Sequence, residues 1–540
     1  MAKQAAPTTA TRIDIKRSDA SGQRGKRSAG TRTTTGAHAV TAALPQQRPR
    51  RAQPARQVTR RAATRRTKPM LPSLSAEDRA ALGKAARREV PRDSHSQFEP
   101  PAGRDIVRLL EQQAKTRLPE LIPVRYGRML ASPFAYYRGA ALAMAHDLAT
   151  TPSTGFQVQA CGDAHLSNFG IFGSPERRLV FDINDFDETL PGHWEWDVKR
   201  LAASMEVAAR QNGFGTRERR QILMSTVTRY RQAIREFAAS GNLDVWYASF
   251  DVAEASKDLA SQLSSRQQKR LRQGMSQAYR RNSLQASSKL THIVDGELRL
   301  ASDPPLLVPA MELYPSELDR AGLAAMMRRL LSRYAESLPP SRRALIDQFE
   351  FIDLARKVVG VGSVGTRCWI VLMLGKDSTD PLLLQVKEAE PSVLSSTTGD
   401  GVVTNEGQRV VDGQQVMQAV SDIFLGWVQV DPVDQAPGSE ASEPRDFYVR
   451  QLRDWKLSLD IEAMVPSGMR LYGELCGWTL ARAHARSGDR IAIASYLGGG
   501  DVFDRAITEF ATSYADQNER DYAALQAAAA SSRIPVVRDL

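Results

Sequence analysis

The sequence predicts an α+β protein in which a mainly helical part comes first, a smaller strand-rich part follows and helix returns at the end. Apolar residues recur at helical spacing from Asp105 onward. Residues 351–454 are instead rich in turns and short alternating segments. A final run regains the helical register, through Leu471, Leu475, Trp478, Leu480 and Ala481. At 540 residues the chain can hold a large core and more than one domain.

The N-terminal segment differs in composition from everything that follows. Residues 1–68 carry a net charge of +15, from seventeen Lys or Arg residues against Asp14 and Asp19, whereas the whole chain carries +12. Because this segment has few apolar residues to bury, we predict that residues 1–72 form a basic disordered tail. Pairs such as Arg60-Arg61 suit nonspecific attraction to nucleic acid or an anionic surface, and a solvated tail without a partner is the alternative.

Cysteine usage and hydropathy favour a soluble cytoplasmic protein. The widely spaced Cys161, Cys368 and Cys476 give neither a disulfide framework nor a metal-ligand pattern. No apolar run approaches the roughly eighteen residues of a membrane-spanning helix. The basic segment also lacks the apolar stretch of a secretory signal.

The elements of the helical part follow from its apolar periodicity. Helices are predicted at 73–92 (a short polar helix or linker), from Asp105, from Phe134 to about Leu148, and at 194–210, 217–239 and 265–288. Two short strands interrupt them, Phe156–Ala160 and Leu179–Ile183. His292–Leu300 predicts a hairpin with Asp295-Gly296 as its turn.

Both strands lead into polar segments that carry chemistry. The first segment is Gly162-Asp163-Ala164-His165-Leu166-Ser167-Asn168, and the second is Asp182-Ile183-Asn184-Asp185-Phe186-Asp187. Phosphoryl transfer uses one carboxylate to orient the attacking hydroxyl, and an Asn with a second carboxylate to hold Mg²⁺. Taken alone, the two segments also fit a metal-dependent hydrolase or a solvated turn.

The strand-rich part opens with Gly360-Val-Gly362-Ser-Val-Gly365. This spacing occurs in Rossmann turns, which open a helix, and in kinase glycine loops, which join two strands. The residues that follow predict a strand, so the sequence favours the second kind. The strands predicted here are Val358-Val359, Cys368–Leu374, Leu382–Val386, Leu425–Val430 and Phe447–Leu452.

Lys387, at the end of the strand that follows the turn Lys376–Pro381, is similar to the phosphate-binding Lys of the kinase V-A-I-K strand. Such a Lys pairs with a Glu on a following helix. Glu406 begins a stretch through Gln418 that can form this helix, and we predict it as the partner. A surface lysine at a strand end is the alternative.

Together these segments resemble the protein-kinase-like superfamily, in particular its aminoglycoside-phosphotransferase and choline-kinase-like branches. Cys161–Asn168 matches the H-G-D-x-H-x-x-N catalytic loop, and the acidic segment matches the hydrophobic-D-x-D metal segment. The resemblance implies that ATP and Mg²⁺ are bound. It implies the following roles: Asp163 as the catalytic carboxylate; Asn168 and Asp185 as magnesium ligands, with Asp187 as runner-up; and Gly360, Gly362, Gly365, Lys387 and Glu406 at the nucleotide.

The resemblance covers about residues 95–535 and implies a kinase-like two-lobed fold. The helical lobe would be 95–340 and the β-rich nucleotide lobe 341–456, with the helices of 457–540 completing the first lobe. Asp197 would brace the backbone of the catalytic loop. More narrowly, Gly162–Gly170 and Phe181–Arg200 look like a bacterial family of uncharacterised proteins known as a domain of unknown function.

Two features depart from the kinase-like pattern. Cys161 replaces the usual His, which removes one loop-bracing hydrogen bond but no catalytic group. The glycine loop and Lys387 follow Asp163 by about two hundred residues, whereas in kinases they precede the catalytic loop. We therefore predict a circular permutation. In such a chain Leu480–Arg486 resembles the helix before the catalytic loop, a role for which helix 138–149 competes.

Other notable side chains have simpler interpretations. His165 is expected to position its loop through hydrogen bonds, His484 to lie in the core, and Trp194 and Trp196 to be packing anchors. The sequence thus predicts an ATP- and Mg²⁺-dependent phosphotransferase for an unidentified small-molecule or protein acceptor. The alternatives are a catalytically inactive nucleotide-binding regulator, an AMP transferase that uses the same site, and a nucleic-acid-binding protein that acts through its tail.

Overall fold

A computed structural model of the chain describes residues 74–538, except 260–267, 270–272, 275, 277–278, 280–282, 317–318, 399–402, 435–442, 453–454, 456 and 458. The predicted tail, residues 1–72, lies outside the described residues, as does most of the predicted helix 265–288. The described residues belong to one unit, 72–540.

Helices dominate the first part and a β-rich sheet follows, which confirms the predicted α+β class. The strands are β1 Gln157–Ala160, β2 Phe169–Gly173, β3 Leu179–Ile183, β4 Leu190–His193, β5 Phe250–Asp251, β6 Thr291–Val294, β7 Glu297–Leu300, β8 Leu307–Pro309, β9 Glu350–Lys357, β10 Cys368–Leu374, β11 Pro381–Ala389, β12 Gly426–Val430 and β13 Arg445–Gln451. The α-helices are Ala76–Glu89, Ile106–Ala114, Ile122–Met129, Pro133–Gly139, Ala141–Leu148, Trp194–Gln211, Thr216–Ala239, Asn242–Tyr247, Val252–Leu259, Ser283–Leu290, Ala310–Leu313, Arg320–Glu336, Pro340–Ile346, Ser395–Thr398, Glu406–Met417, Pro466–Ser487, Arg490–Leu497 and Val502–Ala530.

The large sheet has the strand order β12-β13-β11-β10-β9-β8, and every neighbouring pair is antiparallel. Side chains alternate between the two faces of a strand. On β11, Leu382 and Leu384 therefore pack with the helix Arg320–Glu336 on one face. Leu383 packs on the other face, and Lys387, an even number of residues further on, points to that same side.

The glycine motif joins β9 to β10, so the prediction that it lies between two strands is confirmed. The predicted strand Val358-Val359 is wrong, because β9 ends at Lys357. The charged residues of β9 hide its alternation in the sequence. One of them, Asp353, is buried and accepts the backbone N–H groups of Leu300 and Leu354.

The N-terminal and C-terminal helices share one hydrophobic core. Residues from Phe134 to Val252 and from Met469 to Ala515 belong to the same buried cluster. Pro466–Ser487 packs closely along Thr216–Ala239, since a Cβ on Gly477 would lie 2.4 Å from a carbonyl oxygen of that neighbour. None of the described helices is long and apolar enough to cross a membrane.

Several local expectations can be compared directly. The helix predicted from Phe134 to Leu148 is two helices that break at Ala140. The hairpin at Asp295-Gly296 is confirmed as β6 and β7. The strands predicted on either side of the first polar segment are β1 and β3, but each pairs with a strand that was not predicted, β4 and β2 respectively.

Candidate functional site

The loop that carries Asp163 is held from behind by the helix Trp194–Gln211. The buried carboxylate of Asp197 accepts the N–H of Cys161 at 2.6 Å and the N–H of Gly162 at 3.0 Å. His484 Nε2 lies 3.1 Å from the same carboxylate. These are the bracing contacts that the kinase-like resemblance implies for Asp197, and His484 is fully buried as expected.

The helix Pro466–Ser487 also supports both polar segments. The hydroxyl of Tyr472 donates to the carbonyl oxygens of Leu166 at 2.6 Å and Phe169 at 3.0 Å. Arg482 donates to Asp182 at 2.6 Å. A helix from the C-terminal part of the chain therefore lies directly against the catalytic-loop candidate.

Asp163 is oriented by a residue that sequence analysis missed. Nε and one terminal nitrogen of the buried Arg200 donate to Asp163 Oδ1, at 2.8 and 2.5 Å. Because Arg200 follows Asp197 by three residues, the two side chains share a face of one helix. That spacing is the signal that would have found Arg200 once Asp197 had been assigned to the loop.

His165 does not make the side-chain hydrogen bonds expected of it. Its Nδ1 is buried and has no hydrogen-bond partner among the described residues, and its Nε2 lies 3.7 Å from Asp163 Oδ2. Burial lowers the pKa of His165 to about 3. The imidazole is therefore neutral, and it lies beside the second carboxylate oxygen of Asp163.

Asn168 connects the two polar segments. Its Nδ2 donates to the carbonyl oxygen of Asp163 at 2.7 Å, and its own carbonyl oxygen accepts the N–H of Asn184 at 2.7 Å. Since the amide nitrogen is engaged with the loop, the amide oxygen is the atom that can act as a metal ligand.

Lys387, on strand β11 of the strand-rich part, contacts the acidic residues that follow β3. Its Nζ lies 2.5 Å from Asp187 Oδ2 and 3.5 Å from Asp185 Oδ1, and only 3% of its side chain is exposed. Burial alone would lower the pKa of Lys387, but the two carboxylates raise it well above its usual value. The ammonium therefore bridges two parts of the chain that are about two hundred residues apart.

Strand β13 adds two residues that sequence analysis missed. The Tyr448 hydroxyl donates to Asp187 Oδ1 at 2.5 Å, and Arg450 donates to the carbonyl oxygen of Asn184 at 2.9 Å. Tyr448 pairs with Lys387 in the sheet register, and Arg450 lies two residues further on the same face. Only the strand pairing, which the sequence does not specify, reveals them.

The predicted pairing of Glu406 with Lys387 is not formed. Glu406 does begin a helix, Glu406–Met417, but its carboxylate pairs with Arg409 three residues later. Its backbone N–H is anchored to Asp446 at 2.8 Å. It lines a cavity on the sheet face opposite to Lys387, together with Leu384 and other apolar side chains of that face. The aspartates take the place predicted for Glu406.

The same helix contributes Arg409 instead. Its guanidinium donates to the carbonyl oxygens of Asp187 at 2.9 Å, Thr189 at 2.6 Å and Glu390 at 2.8 Å. Three backbone carbonyls from two distant segments are thereby tied to one side chain. This arrangement fixes the acidic segment against the end of β11.

The glycine motif forms a turn beside the carboxylates of Asp185 and Asp187. Gly360 and Gly365 have φ angles of +62° and +94°, which an L side chain rarely adopts. A Cβ on Gly362 would lie 3.2 Å from the carbonyl oxygen of Arg138. The Ser363 hydroxyl donates to Asp187 Oδ2 at 3.2 Å. The turn therefore lies within hydrogen-bond reach of the carboxylates.

Two cavities meet at this point. We call the smaller one, of about 310 Å³, the Asp163 cavity, and the larger one, of about 660 Å³, the Lys387 cavity, since each of these residues lines only the cavity named after it. Both volumes lie in the range of small-molecule sites. The two cavities share five lining residues, Arg138, Asn168, Asp185, Gly360 and Ser363.

A sequence model of the family described as "Uncharacterized protein conserved in bacteria (DUF2252)" matches residues 117–528. The chain belongs to this family. The narrower of the two resemblances drawn from the sequence is thereby confirmed, and the wider kinase-like one stays a prediction. Neither the comparison with curated proteins nor that with solved structures finds a match.

The matched part of this DUF2252 protein includes every residue of the two cavities except Gln112, Gln113 and Thr116.

Within the described chain no group of three His, Cys, Asp or Glu residues is arranged to hold a metal ion. Mg²⁺ on a nucleotide is usually held by one or two carboxylates together with phosphate oxygens and waters. Asn168 and Asp185 supply oxygen ligands of that kind at the junction of the cavities, and Asp187 supplies another from the wall of the Asp163 cavity, so the three residues fit the ion.

Proposed function

We propose that this DUF2252 protein is an ATP- and Mg²⁺-dependent phosphotransferase that acts on a small-molecule or protein acceptor. The observation that carries the proposal is the contact of Lys387 with Asp185 and Asp187 beneath the glycine turn. A buried ammonium, two carboxylates and a glycine turn are the groups that phosphate binding and metal binding require. These groups come from segments that are far apart in sequence, so the fold and not local sequence proximity brings them together.

The two cavities suit the two substrates of such a reaction. The Lys387 cavity would hold the nucleotide with its phosphates at the junction, where Asn168 and Asp185 would hold Mg²⁺ and Asp187 would assist. The ion would neutralise phosphate charge. Lys387 would turn from the carboxylates to the phosphates, and the amides of the glycine turn would orient them.

The acceptor would then occupy the Asp163 cavity. Asp163 would orient the acceptor hydroxyl and receive its proton as the hydroxyl oxygen bonds to the terminal phosphorus. The bond from that phosphorus to the bridging oxygen of ATP would break, and ADP would leave. The Arg200 contact to Oδ1 leaves Oδ2 as the oxygen that faces this task. Such catalysis consists mainly of positioning and electrostatic stabilisation, which the braced loop and the buried charges can supply.

Thermal unfolding with ATP, in the presence and absence of Mg²⁺, tests the nucleotide half. A ligand that binds only the folded state raises the melting temperature, so Mg²⁺ with ATP should raise it more than either alone.

Turnover of ATP should be lost in Asp163→Asn and in Asp185→Ala. Asp501→Asn, a change at an exposed carboxylate beside Arg505, is the matched control and should keep turnover. Unchanged turnover in both site variants would refute the proposal.

Mass analysis of the products separates the related chemistries. Phosphate on an acceptor supports phosphoryl transfer, whereas AMP on an acceptor or on the protein would identify an AMP transferase. Nucleotide binding without any turnover, in the protein and in Asp163→Asn alike, would identify a catalytically inactive regulator.

A further inference from the structure

In the Asp163 cavity most carboxylates have a cationic or hydrogen-bonding partner, but the two arginines form no ion pair with the described residues. The cationic side chains that line it are Arg117 and Arg138. Neither forms an ion pair with a carboxylate of the described chain, and the Nε of each is buried without a hydrogen-bond partner there. Leaving a buried guanidinium nitrogen unpaired is costly, so such groups ordinarily have a partner.

Arg117 is the more deeply placed of the two. It is 6% exposed, and one terminal nitrogen donates to the carbonyl oxygen of Val364 in the glycine turn. Burial lowers its pKa below the usual value, against the attraction of Glu390 and other nearby carboxylates. The contact with Val364 fixes the guanidinium at the wall of the cavity and leaves its Nε unsatisfied.

Arg138 lies at the junction of the two cavities and lines both of them. Burial likewise lowers its pKa, and Asp163 and Asp185 are the first carboxylates that oppose this effect. Because Arg138 lines both cavities, it puts a positive charge beside the place where a phosphoryl group would pass.

The carboxylates around the cavity are mostly satisfied by other partners. Asp163 pairs with Arg200, and both Asp185 and Asp187 pair with Lys387. Glu388 pairs with Arg367 and Arg445. Glu188 accepts the N–H of Val393 at 2.7 Å, and burial raises its pKa to about 7. Glu390 is the remaining acid on the wall, and it forms no ion pair with Arg117.

We infer that the Asp163 cavity takes an acceptor that carries an anionic group, a carboxylate or a phosphate ester, besides its hydroxyl, with Arg117 as the residue that binds this anion. The assignment rests on the proposed function, because that function makes this cavity the acceptor site. A guanidinium binds either anion through paired N–H donors. At about 310 Å³ the cavity suits a metabolite-sized molecule.

Four compounds with one three-carbon skeleton test the charge preference. They are D-glycerate (carboxylate), glycerol 3-phosphate (phosphate ester), glycerol (neutral) and 2-amino-1,3-propanediol (cationic). Binding is measured on the full chain by thermal shift and by calorimetry, with Mg²⁺ and a non-hydrolysable ATP analogue present. We expect the two anions to bind at least about 10-fold more tightly than glycerol and the amine. The comparison of the two anions identifies the preferred group.

Variants locate the binding. Arg117→Gln should weaken binding of the preferred anion by about 10-fold or more, because one charge-assisted pair is lost, and Arg117→Lys should weaken it less. Arg128→Gln is the matched control, since Arg128 is a neighbouring arginine that donates to the glycine turn at Gly360 but does not line the cavity. Lys289→Gln, a change at an exposed lysine that lines the Lys387 cavity but not the Asp163 cavity, should keep anion binding.

The outcomes separate the two proposals. Equal affinity for all four compounds, anion binding that survives Arg117→Gln, or no anion binding at all overturns the acceptor assignment, while the Mg²⁺–ATP shift of the native protein still supports the proposed function. Absence of that shift in the native protein overturns the proposed function and the acceptor assignment with it.

Discussion

At the scale of single residues, Lys387 is the clearest link between sequence and site. Its ammonium neutralises two carboxylates that would otherwise repel each other. Lys387→Met should therefore destabilise the protein without ligand, by about 1–3 kcal/mol, because Asp185 and Asp187 lose their buried cation. Added Mg²⁺ should restore more stability to this variant than to the native protein, since it replaces the missing charge. Urea unfolding with and without Mg²⁺ measures both effects, and an unchanged Mg²⁺ response would contradict the arrangement.

A second buried lysine lies away from the site and predicts a pH dependence. Lys199 Nζ is buried, has no hydrogen-bond partner among the described residues, and lies 5.0 Å from the Phe510 ring centroid. Burial lowers its pKa from 10.5 to about 7, although Glu195 opposes the shift. Above pH 7 the folded state has released a proton that the unfolded state still binds. Stability should therefore rise between pH 7 and 9, by up to about 2 kcal/mol.

The variant Lys199→Met isolates this contribution. It replaces the amine by an apolar chain of similar length, so the rise in stability between pH 7 and 9 should disappear. Denaturant unfolding at pH 7, 8 and 9 is the measurement. A variant whose stability follows that of the native protein over this range would show that another group titrates there.

The sequence was informative about residues wherever short spacing carried the signal. Asp163, Asn168 and Asp185 follow from one loop and one strand end, and Lys387 follows from its place after a glycine motif. Glu406 was wrong because a helix position chosen by distance along the chain does not specify which face of the sheet its side chain meets. Arg138 was missed since its role depends on contacts across the fold.

At the scale of elements, the glycine turn depends on backbone conformation as well as space. Gly360 and Gly365 both have positive φ, but a Cβ at Gly365 would also lie 3.0 Å from the Arg117 side chain. Gly365→Ala should therefore destabilise the protein more than Gly360→Ala, for which about 1 kcal/mol is expected. Gly103→Ala is the control, because it has a similar φ of +71° and open space around it.

Nucleotide affinity then separates strain from function in these three variants. The two changes in the turn should weaken ATP binding, and Gly103→Ala should leave it unchanged despite its cost in stability. Calorimetric titration with ATP and Mg²⁺ provides the comparison. Equal loss of affinity in all three variants would mean that stability alone, and not the turn, controls binding.

Elements with a strong period were predicted well, and mixed ones were not. Thr216–Ala239 follows from regular apolar spacing, and β10 follows from an unbroken apolar run bounded by turn residues. Strand β9 was missed because buried charged residues, among them Asp353 and Arg356, interrupt its pattern, and their partners lie elsewhere in the chain. The break at Ala140 directly follows Gly139, but a single glycine is tolerated inside many helices and did not by itself predict the break.

At the scale of the whole molecule, the site is assembled from three stretches that are distant in sequence. The catalytic-loop candidate comes first, the sheet with Lys387 comes later, and the helix Pro466–Ser487 returns to support the loop. The sequence predicted that these stretches meet only through the kinase-like resemblance, since hydrophobic periodicity carries no information about which elements pack together. This joint assembly makes the response to a ligand a property of all three stretches.

Hydrogen exchange can test that shared response. Mg²⁺ with ATP, bound between Asp185 and Lys387, should slow amide exchange in residues 162–187 and 358–389 together, because opening either side would require release of the ligand. The buried helix Val502–Ala530 forms its own contacts away from both cavities and should change little. Protection confined to one of the two segments would mean that the nucleotide contacts only one part of the assembled site, and the proposed role of Lys387 at the phosphates would then be wrong.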